Sequence, residues 1–555
     1  MNNRVVVDPV TRIEGHLRIE AQLGEGGGIS EAYSSGTSVR GLELILQGRD
    51  PRDAWAFAQR ICGVCTLVHG LASVRAAEHA LKWPIPPNAQ LIRNMMLGAQ
   101  YIHDHVMHFY HLHALDWVDV VSALKADPKA TSELAQTISG WAKSSPGYFA
   151  DTQKRVKDFV ETGQLGIFAN AYWGHVEYKL PPEANLMAVA HYLEALAWQR
   201  EVVKLHALFG GKNPHPNLVC GGMAAPITGT TPGDSYQGGA VSVTRLQELR
   251  GVIRQMREFV DQVYLPDTLA IAGFYKDWFS RGEGLGNFMT YGDFAPSGLD
   301  DPSQWMVPRG VVLNRNLSEV MEVDLEDPDQ IAENVAHAWY SHRGDDAEGL
   351  HPYRGQTRFN YDGPEPPYTQ LDVEKGYSWL KSPRWRGQPV EVGPLARLVM
   401  MLAKGNERAT DIATQALGVL DLPTEAIFST MGRTAARAIE SKLMADMMED
   451  WLDALPANIA AGDYSVHNAA KWDPSSWPST ARGVGFLEAP RGALGHWMVI
   501  KDGKIDNYQA VVPTTWNAGP KDGAGAMGAY EAALCDNHSL ADHEQPLEII
   551  RTVHS

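Results

Sequence analysis

The residues best placed for chemistry are two cysteines in Cys62-Gly63-Val64-Cys65, with His69 four residues further on. Two thiolates at this spacing can grip one soft metal ion, and the histidine is near enough in sequence to hydrogen-bond a sulfur or act as a ligand. Spacing alone leaves three readings open: half of a zinc or other metal site, a redox dithiol of the thioredoxin kind, or two buried cysteines without chemistry. A closed zinc site needs another nearby pair, and none is present. Cys220 and Cys535 stand apart from the pair and are read as buried small hydrophobes. A second concentration of possible ligands is the run His103, His105, His108, His111 and His113. On a helix these wrap around more than one face, so only pairs such as His105 and His108 could share an ion. Hydrogen bonding in the core or at an interface is their expected use.

The elements that must hold these residues are mostly helical. Apolar residues at three- and four-residue steps predict a helix from Asn88 to about Val121, and another from about Asn185 to Gly210-Gly211. A third opens at Thr244, with Gln247 placed to close a capping box, and runs to about Tyr264; a fourth spans about Thr434 to Leu455. Alternation at Val5–Val7 and Leu17–Ala21 predicts strands, with a turn at Gly24–Gly28. Near the carboxyl end, His496–Ile500 and Ile505–Val512 flank Asp502-Gly503, a hairpin signal because that turn needs positive φ. Residues 273–388, rich in Gly, Pro, Asp and Trp, read as extended loops and short strands. The expected fold is mainly α with smaller β elements, a long-helix bundle with peripheral short strands and hairpins. As one unit over 1–555 it divides into N-terminal strands (1–30), a helical core (about 88–265 and 390–460), the loop-rich stretch, and a C-terminal hairpin region (485–555).

Bulk properties exclude some functions. The net charge of -18 repels polyphosphate and argues against nucleic acid or an anionic membrane surface as the main partner. With 44% hydrophobic and 21% charged residues, the composition is that of an ordinary folded chain with a sizeable core. No run approaches the roughly 18 apolar residues of a membrane span, and MNNRVVVDPV has no apolar signal core. Export or membrane attachment is therefore expected to come from a partner. Four cysteines in 555 residues are too few for a disulfide framework or an iron-sulfur relay.

Context separates the readings of the cysteine pair. Arg60-Ile61-Cys62-Gly63-Val64-Cys65 with His69 resembles the first signature of nickel-iron hydrogenase large subunits. So do Asp8-Pro9-Val10-Thr11-Arg12-Ile13-Glu14-Gly15-His16, His111-Leu112-His113-Ala114-Leu115-Asp116-Trp117, Gly211-Lys212-Asn213-Pro214-His215-Pro216, Ser382-Pro383-Arg384-Trp385, and Ala489-Pro490-Arg491-Gly492-Ala493-Leu494-Gly495-His496. The matches run in order along essentially the whole chain and are most similar to the membrane-associated uptake type.

The resemblance implies a nickel-iron centre held by four thiolates, with carbon monoxide and cyanide on the iron. Cys62 and Cys65 would be one thiolate pair, Cys65 at the bridging position and His69 its supporting partner. Pro490 and Arg491 would lie over the metals, the guanidinium near one cyanide and Thr514 donating to the other. Glu14 would be the first proton relay, which needs a carboxyl within reach of a thiolate and raised by burial. Asp116 would frame the same site, bonded to Arg491, and Glu43 would ligate a magnesium ion. The family continues past the position of Ser555 into Phe-Asp-Pro-Cys-x-x-Cys-x-x-x-His, so the other two thiolates are expected beyond it. The implied reaction is heterolytic cleavage of dihydrogen, electrons leaving through an iron-sulfur small subunit and from there to a membrane cytochrome. The implied location is the periplasmic side of the membrane, exported with the partner, with the cytoplasm as alternative. A competing class is a metal-free or quinone-site scaffold related to a subunit of respiratory NADH dehydrogenase. Retention of Cys62, Cys65 and Arg491 argues against it.

Overall fold

The computed structural model describes residues 3–163, 165–227, 241–296, 298–346, 348–364 and 371–555. The chain opens on an antiparallel sheet of β1 (Arg4–Val7), β2 (Leu17–Leu23) and β3 (Ile29–Gly36), with the glycine run between β2 and β3. Residues 8–16, joining β1 to β2, leave strand geometry, Arg12 at φ 58 and Gly15 at φ 94, and form a rim that buries Val10 and exposes Glu14, Gly15 and His16.

The interior is a helix bundle, as the periodicity predicts. Its main members are α1 (Val68–Leu81), α2 (Pro87–Met107), α3 (Pro182–Val202), α4 (Val243–Phe259), α5 (Leu265–Phe274), α6 (Pro394–Ala403) and α7 (Thr430–Ala460). Met95, Ile102 and Val106 bury one face of α2, each side chain contributing about 1.5–3 kcal/mol by its removal from water. The helices α2 and α7 approach closely at Gly98, where a Cβ would meet Met448 at 3.1 Å and Trp451 at 3.2 Å.

The predicted helix ends shift for identifiable reasons. Ser242, not Thr244, caps α4 by accepting the Arg245 N–H, so the expected capping box does not form. Ser429 caps α7 in the same way through Gly432, so the helix starts at Thr430, four residues before the predicted Thr434. The helix predicted to end at Gly210 breaks at Val203 into α3 and Lys204–Gly210. The one predicted to reach Val121 stops being α-helical at Met107 and continues as a π-helical turn over His108–His113.

Near the carboxyl end, β4 (Thr480–Ala489), β5 (Gly492–Lys501) and β6 (Lys504–Val511) form a second antiparallel sheet in the order β6-β5-β4. Asp502 and Gly503 turn β5 into β6 with φ 48 and 75, the two positive values that Asp-Gly supplies. The sequence showed only this hairpin; β4 adds a third strand. Against it lies α1, almost in backbone contact. A Cβ on Gly485 would fall 1.8 Å from the Ala72 carbonyl oxygen, and one on Gly483 would fall 2.3 Å from Ala80 N. Only glycine on the strand and alanine on the helix permit this approach, which presses the cysteine loop preceding α1 toward the β4–β5 turn. The loop-rich stretch carries two short strand pairs, Phe288–Thr290 with Gly310–Val312 and Ile331–Asn334 with Ser382–Trp385. The final helix, α8 (Leu547–His554), is anchored by Arg551, whose guanidinium lies 4.5 Å over Trp117 and 4.9 Å over Tyr275. Among the described residues, no helix is long and apolar enough to cross a membrane.

Candidate metal centre

Cys62 and Cys65 lie in the loop between the turn Gln59–Ile61 and α1, both buried and both on the wall of a cavity of about 630 Å³. Four distant residues fix the loop. Arg40 donates to the carbonyls of Arg60 at 2.7 Å and Ile61 at 2.5 Å; the His215 Nε2–H reaches the Cys62 carbonyl at 3.2 Å; Gln100 bonds the Val64 carbonyl at 3.4 Å. The fourth is Glu14, which accepts the Gly63 N–H at 3.0 Å. The Cys62 sulfur in turn accepts N–H groups from Val64 at 3.3 Å and Cys65 at 3.2 Å. The Cys65 thiol, aided by Arg491 and opposed by burial, holds Cys62 below the usual thiol range. Cys65, bonded to Cys62 and buried, is raised well above it. The shift favours the thiolate form at Cys62, the form that binds metal.

Arg491 enters the same cavity from the two-residue turn between β4 and β5. Arg397, wholly buried, grips the two carbonyls before it, Ala489 and Pro490, each at 2.8 Å, and is itself paired with Glu440 and Glu488. Pro490 therefore serves the turn through its carbonyl, and Ala489 and Arg491 line the cavity. Arg491 is 28% exposed, toward that cavity, and its Nη1 donates to Asp104 Oδ2 at 2.9 Å. Asp104 is fully buried. Burial raises its carboxyl, but His103 and Arg491 more than offset this and keep it below the usual carboxylate range. The sequence reading named Asp116 as the partner of Arg491; the partner is Asp104, which that reading missed although it falls in the helix between His103 and His105.

Asp116 lies beyond the π-helical turn, which rotates the chain, and it is bonded elsewhere. Arg12 Nη2 reaches it at 2.5 Å, His554 Nδ1 at 2.7 Å and His113 Nδ1 at 3.0 Å. Burial alone would raise this carboxyl; Arg12, His554 and His113 hold it well below the carboxylate range. The group knits the Arg12 rim, the end of α2 and α8 together. Its depressed pKa means stabilisation that is complete above the ordinary carboxylate pKa and lost as pH falls below it. Asp116→Asn should lower stability at neutral pH by about 3–5 kcal/mol, since it leaves a buried guanidinium unpaired. Urea midpoints of wild type and variant should converge as pH falls below about 4. A gap that persists undiminished to pH 3 would remove the carboxylate charge as its cause.

The other candidates divide. Thr514, on the first turn of Pro513–Ala518, and His69, on α1, both line the cavity. Glu14 lines it too, but this side chain is exposed at the rim rather than buried as expected. Glu43 is half-buried away from the cavity, accepting the Ala510 N–H at 2.9 Å and the Thr357 hydroxyl. The histidine run makes separate hydrogen bonds, as expected: His105 to Glu440, His108 to the His554 carbonyl, His111 to the Tyr192 carbonyl and His113 to Asp116. Cys220 is buried, whereas Cys535 is only half-buried, which corrects its reading as a core residue. Arg40, Gln100 and His215 escaped the sequence reading as parts of the site; His215 alone had a signal, inside the Gly211–Pro216 motif. Ser555 closes one wall, its carbonyl bonded by Arg437.

With this geometry established, the comparisons are specific. Residues 40–555 match the family model described as nickel-dependent hydrogenase, and residues 4–37 one described as HoxL-like. The chain is 55% identical over 561 residues to the uptake hydrogenase large subunit of Rhizobium leguminosarum bv. viciae. It is 52% identical over 560 residues to the hydrogenase-1 large chain of Escherichia coli. Each alignment covers 100% of this chain and 93% of the relative. A NiFeSe hydrogenase variant from Desulfovibrio vulgaris Hildenborough superposes with a TM-score of 0.76 at 31% identity, over 99% of this chain and 96% of that one.

Proposed function

The chain belongs to the nickel-dependent hydrogenase family, and from that premise we propose how its residues carry the activity. It is the catalytic large subunit of a nickel-iron hydrogenase, and the scaffold alternative is not favoured. The observation that carries our assignment of the site is the meeting of two buried cysteine sulfurs and a carboxylate-anchored arginine on one cavity. The donor set fits a soft metal: two buried cysteine sulfurs side by side, the Cys62 thiol lowered, and a guanidinium on the same cavity to balance their charge.

Cys62 and Cys65 would supply two of the thiolates that hold the nickel, with His69 supporting a sulfur. Arg491 and Thr514 would serve the carbon monoxide- and cyanide-bearing iron as donors, and Glu43 would take a magnesium ion. When bound, the bimetallic centre supplies the Lewis-acidic and redox chemistry for heterolytic cleavage of dihydrogen. The protein's own part is to orient and to move a proton. Arg491 presents a fixed cation over the reacting position, and Glu14, tied to the cysteine loop through Gly63 N–H, takes the proton outward at its carboxylate. An iron-sulfur small subunit is the expected partner, and covering the exposed rim with it would bury Glu14. A membrane cytochrome as next acceptor, and the periplasmic side of the membrane as location, are supported by the uptake type of the relatives; cell fractionation decides between that location and the cytoplasm.

Nickel and iron analysis of the purified complex, with infrared spectra in the carbon monoxide and cyanide stretching region, tests the assignment. Stoichiometric nickel and iron with both sets of bands are expected, and absence of both metals and bands would sink it. Glu14→Gln keeps an oxygen for the Gly63 N–H but cannot carry a proton. Dihydrogen oxidation should fall by about a hundredfold or more, with metal content and infrared bands unchanged. Full activity in this variant would move the relay elsewhere.

A further inference from the structure

Behind His69 runs a buried pair, His496 and Tyr508, that the proton and metal roles above leave unused. The His69 Nδ1 lies 3.1 Å from His496 Nε2, and His496 Nδ1 lies 2.5 Å from the Tyr508 hydroxyl. The row crosses three elements, His69 on α1, His496 on β5 and Tyr508 on β6. His69 faces the cavity; His496 and Tyr508 are completely enclosed. Burial, helped by Arg40, brings His69 down to about 3, and burial places His496 well below its ordinary range, so both rings are neutral.

A neutral imidazole has one N–H, and which nitrogen holds it is set by the hydrogen bond at the other. In this row the choice propagates. If Tyr508 donates its O–H to His496 Nδ1, then His496 must donate Nε2–H to His69 Nδ1, and His69 is left with its proton on Nε2. The opposite polarity would have His69 Nδ1–H donating to His496 Nε2, His496 Nδ1–H donating to the phenol oxygen, and His69 Nε2 bare. Two observations favour the first polarity. The 2.5 Å O···N contact is short, as bonds donated by O–H are compared with those donated by N–H, and a phenol is a stronger acid than a neutral imidazole and hence the better donor. At the other end, the cavity is lined by the Cys62 and Cys65 sulfurs, of which Cys62 is seen accepting N–H groups, and this also calls for a donor.

We infer that His496 and Tyr508 are positioning residues that lock His69 in the tautomer with its proton on Nε2, so that the row ends as an N–H donor on the cavity that the two cysteines also line. This rests on the reading of Cys62 and Cys65 as metal thiolates. A cysteine sulfur that takes this donor would give less electron density to bound metals, so the row would tune the centre from two side chains away. The glycine-to-alanine contact between β4 and α1 fixes the spacing it needs.

The test uses the purified complex with 15N-labelled histidine, His69→Gln serving only to assign the His69 signals, and three variants, Tyr508→Phe, His496→Leu and His496→Gln. In wild type His69 should carry its proton on Nε2. Tyr508→Phe and His496→Leu should move His69 toward a mixture with Nδ1–H, shift the carbon monoxide and cyanide bands to lower wavenumber, and lower kcat several-fold with KM unchanged. His496→Gln, which keeps an N–H for His69, should restore the Nε2 tautomer and the wild-type bands. The tautomer readout does not require metal, so a variant that loads nickel poorly still tests the row. Protonation of Nδ1 in wild type, or an unaltered Nε2 tautomer in both disruptive variants, overturns the inference. Wild type without nickel, but with the expected tautomers, overturns the thiolate reading instead.

Discussion

Cys65→Ser is expected to empty the nickel site and abolish dihydrogen oxidation, while Cys220→Ala retains both. Serine keeps the size and the hydrogen-bonding capacity of the side chain, so the loop held by Arg40, Gln100, His215 and Glu14 should keep its shape. What changes is the donor. A hydroxyl oxygen is hard and protonated at neutral pH, whereas nickel prefers soft thiolate sulfur. The loss of metal should exceed the roughly 10–100-fold drop in affinity that follows removal of a group merely supporting a ligand. Cys220 is the control because it is equally buried but bonded into another part of the molecule, with its carbonyl accepting from His467. Metal analysis of the complex decides the matter: nickel in the Cys65→Ser protein at the wild-type level would refute the ligand assignment.

How far the sequence reveals such a site depends on whether the interaction is local. The cysteine pair is legible because both thiols come from four consecutive residues, and the Asp502-Gly503 turn because its chemistry is confined to the turn. Arg491 is reached only through its motif, since the Asp104 that anchors it is 387 residues away. Nothing in the helical periodicity of α2 distinguishes Asp104 from Asp116 as a partner, and the π-helical turn between them alters the phase on which any face assignment rests. The helix α1 escapes for a different reason. Every residue of Val68–Leu81 except His79 is buried, so the segment has no polar face and no amphipathic signal. The fold class and long helices could therefore be read from pattern, while contacts that complete the site, including the Arg397 grip on Pro490 and the histidine row, exist only once the two halves of the chain meet.

The pairing of Arg491 with Asp104 makes the second large prediction. Arg491→Lys keeps the charge but replaces a planar fork by a single ammonium, which cannot both hold Asp104 and project a donor into the cavity. Removing one preorganised donor of this kind costs about a hundred- to a thousandfold in kcat, and that loss is expected with nickel content intact. Asp104→Asn leaves the guanidinium in place with a weaker anchor. Because small misplacement of a reacting group costs on the order of a hundredfold, kcat should fall by less than that, about ten- to a hundredfold. The two effects should not multiply. Asp104 is fully buried and acts through Arg491, so once lysine has replaced the fork the aspartate has little left to position. The double variant should then resemble Arg491→Lys alone, a coupling within the roughly 0.5–3 kcal/mol seen for residues in one network. Steady-state dihydrogen oxidation by the four proteins, normalised to nickel, completes the cycle. A double variant whose loss equals the product of the single losses would mean that Asp104 serves the site by a route independent of Arg491, and the anchoring role would have to be abandoned.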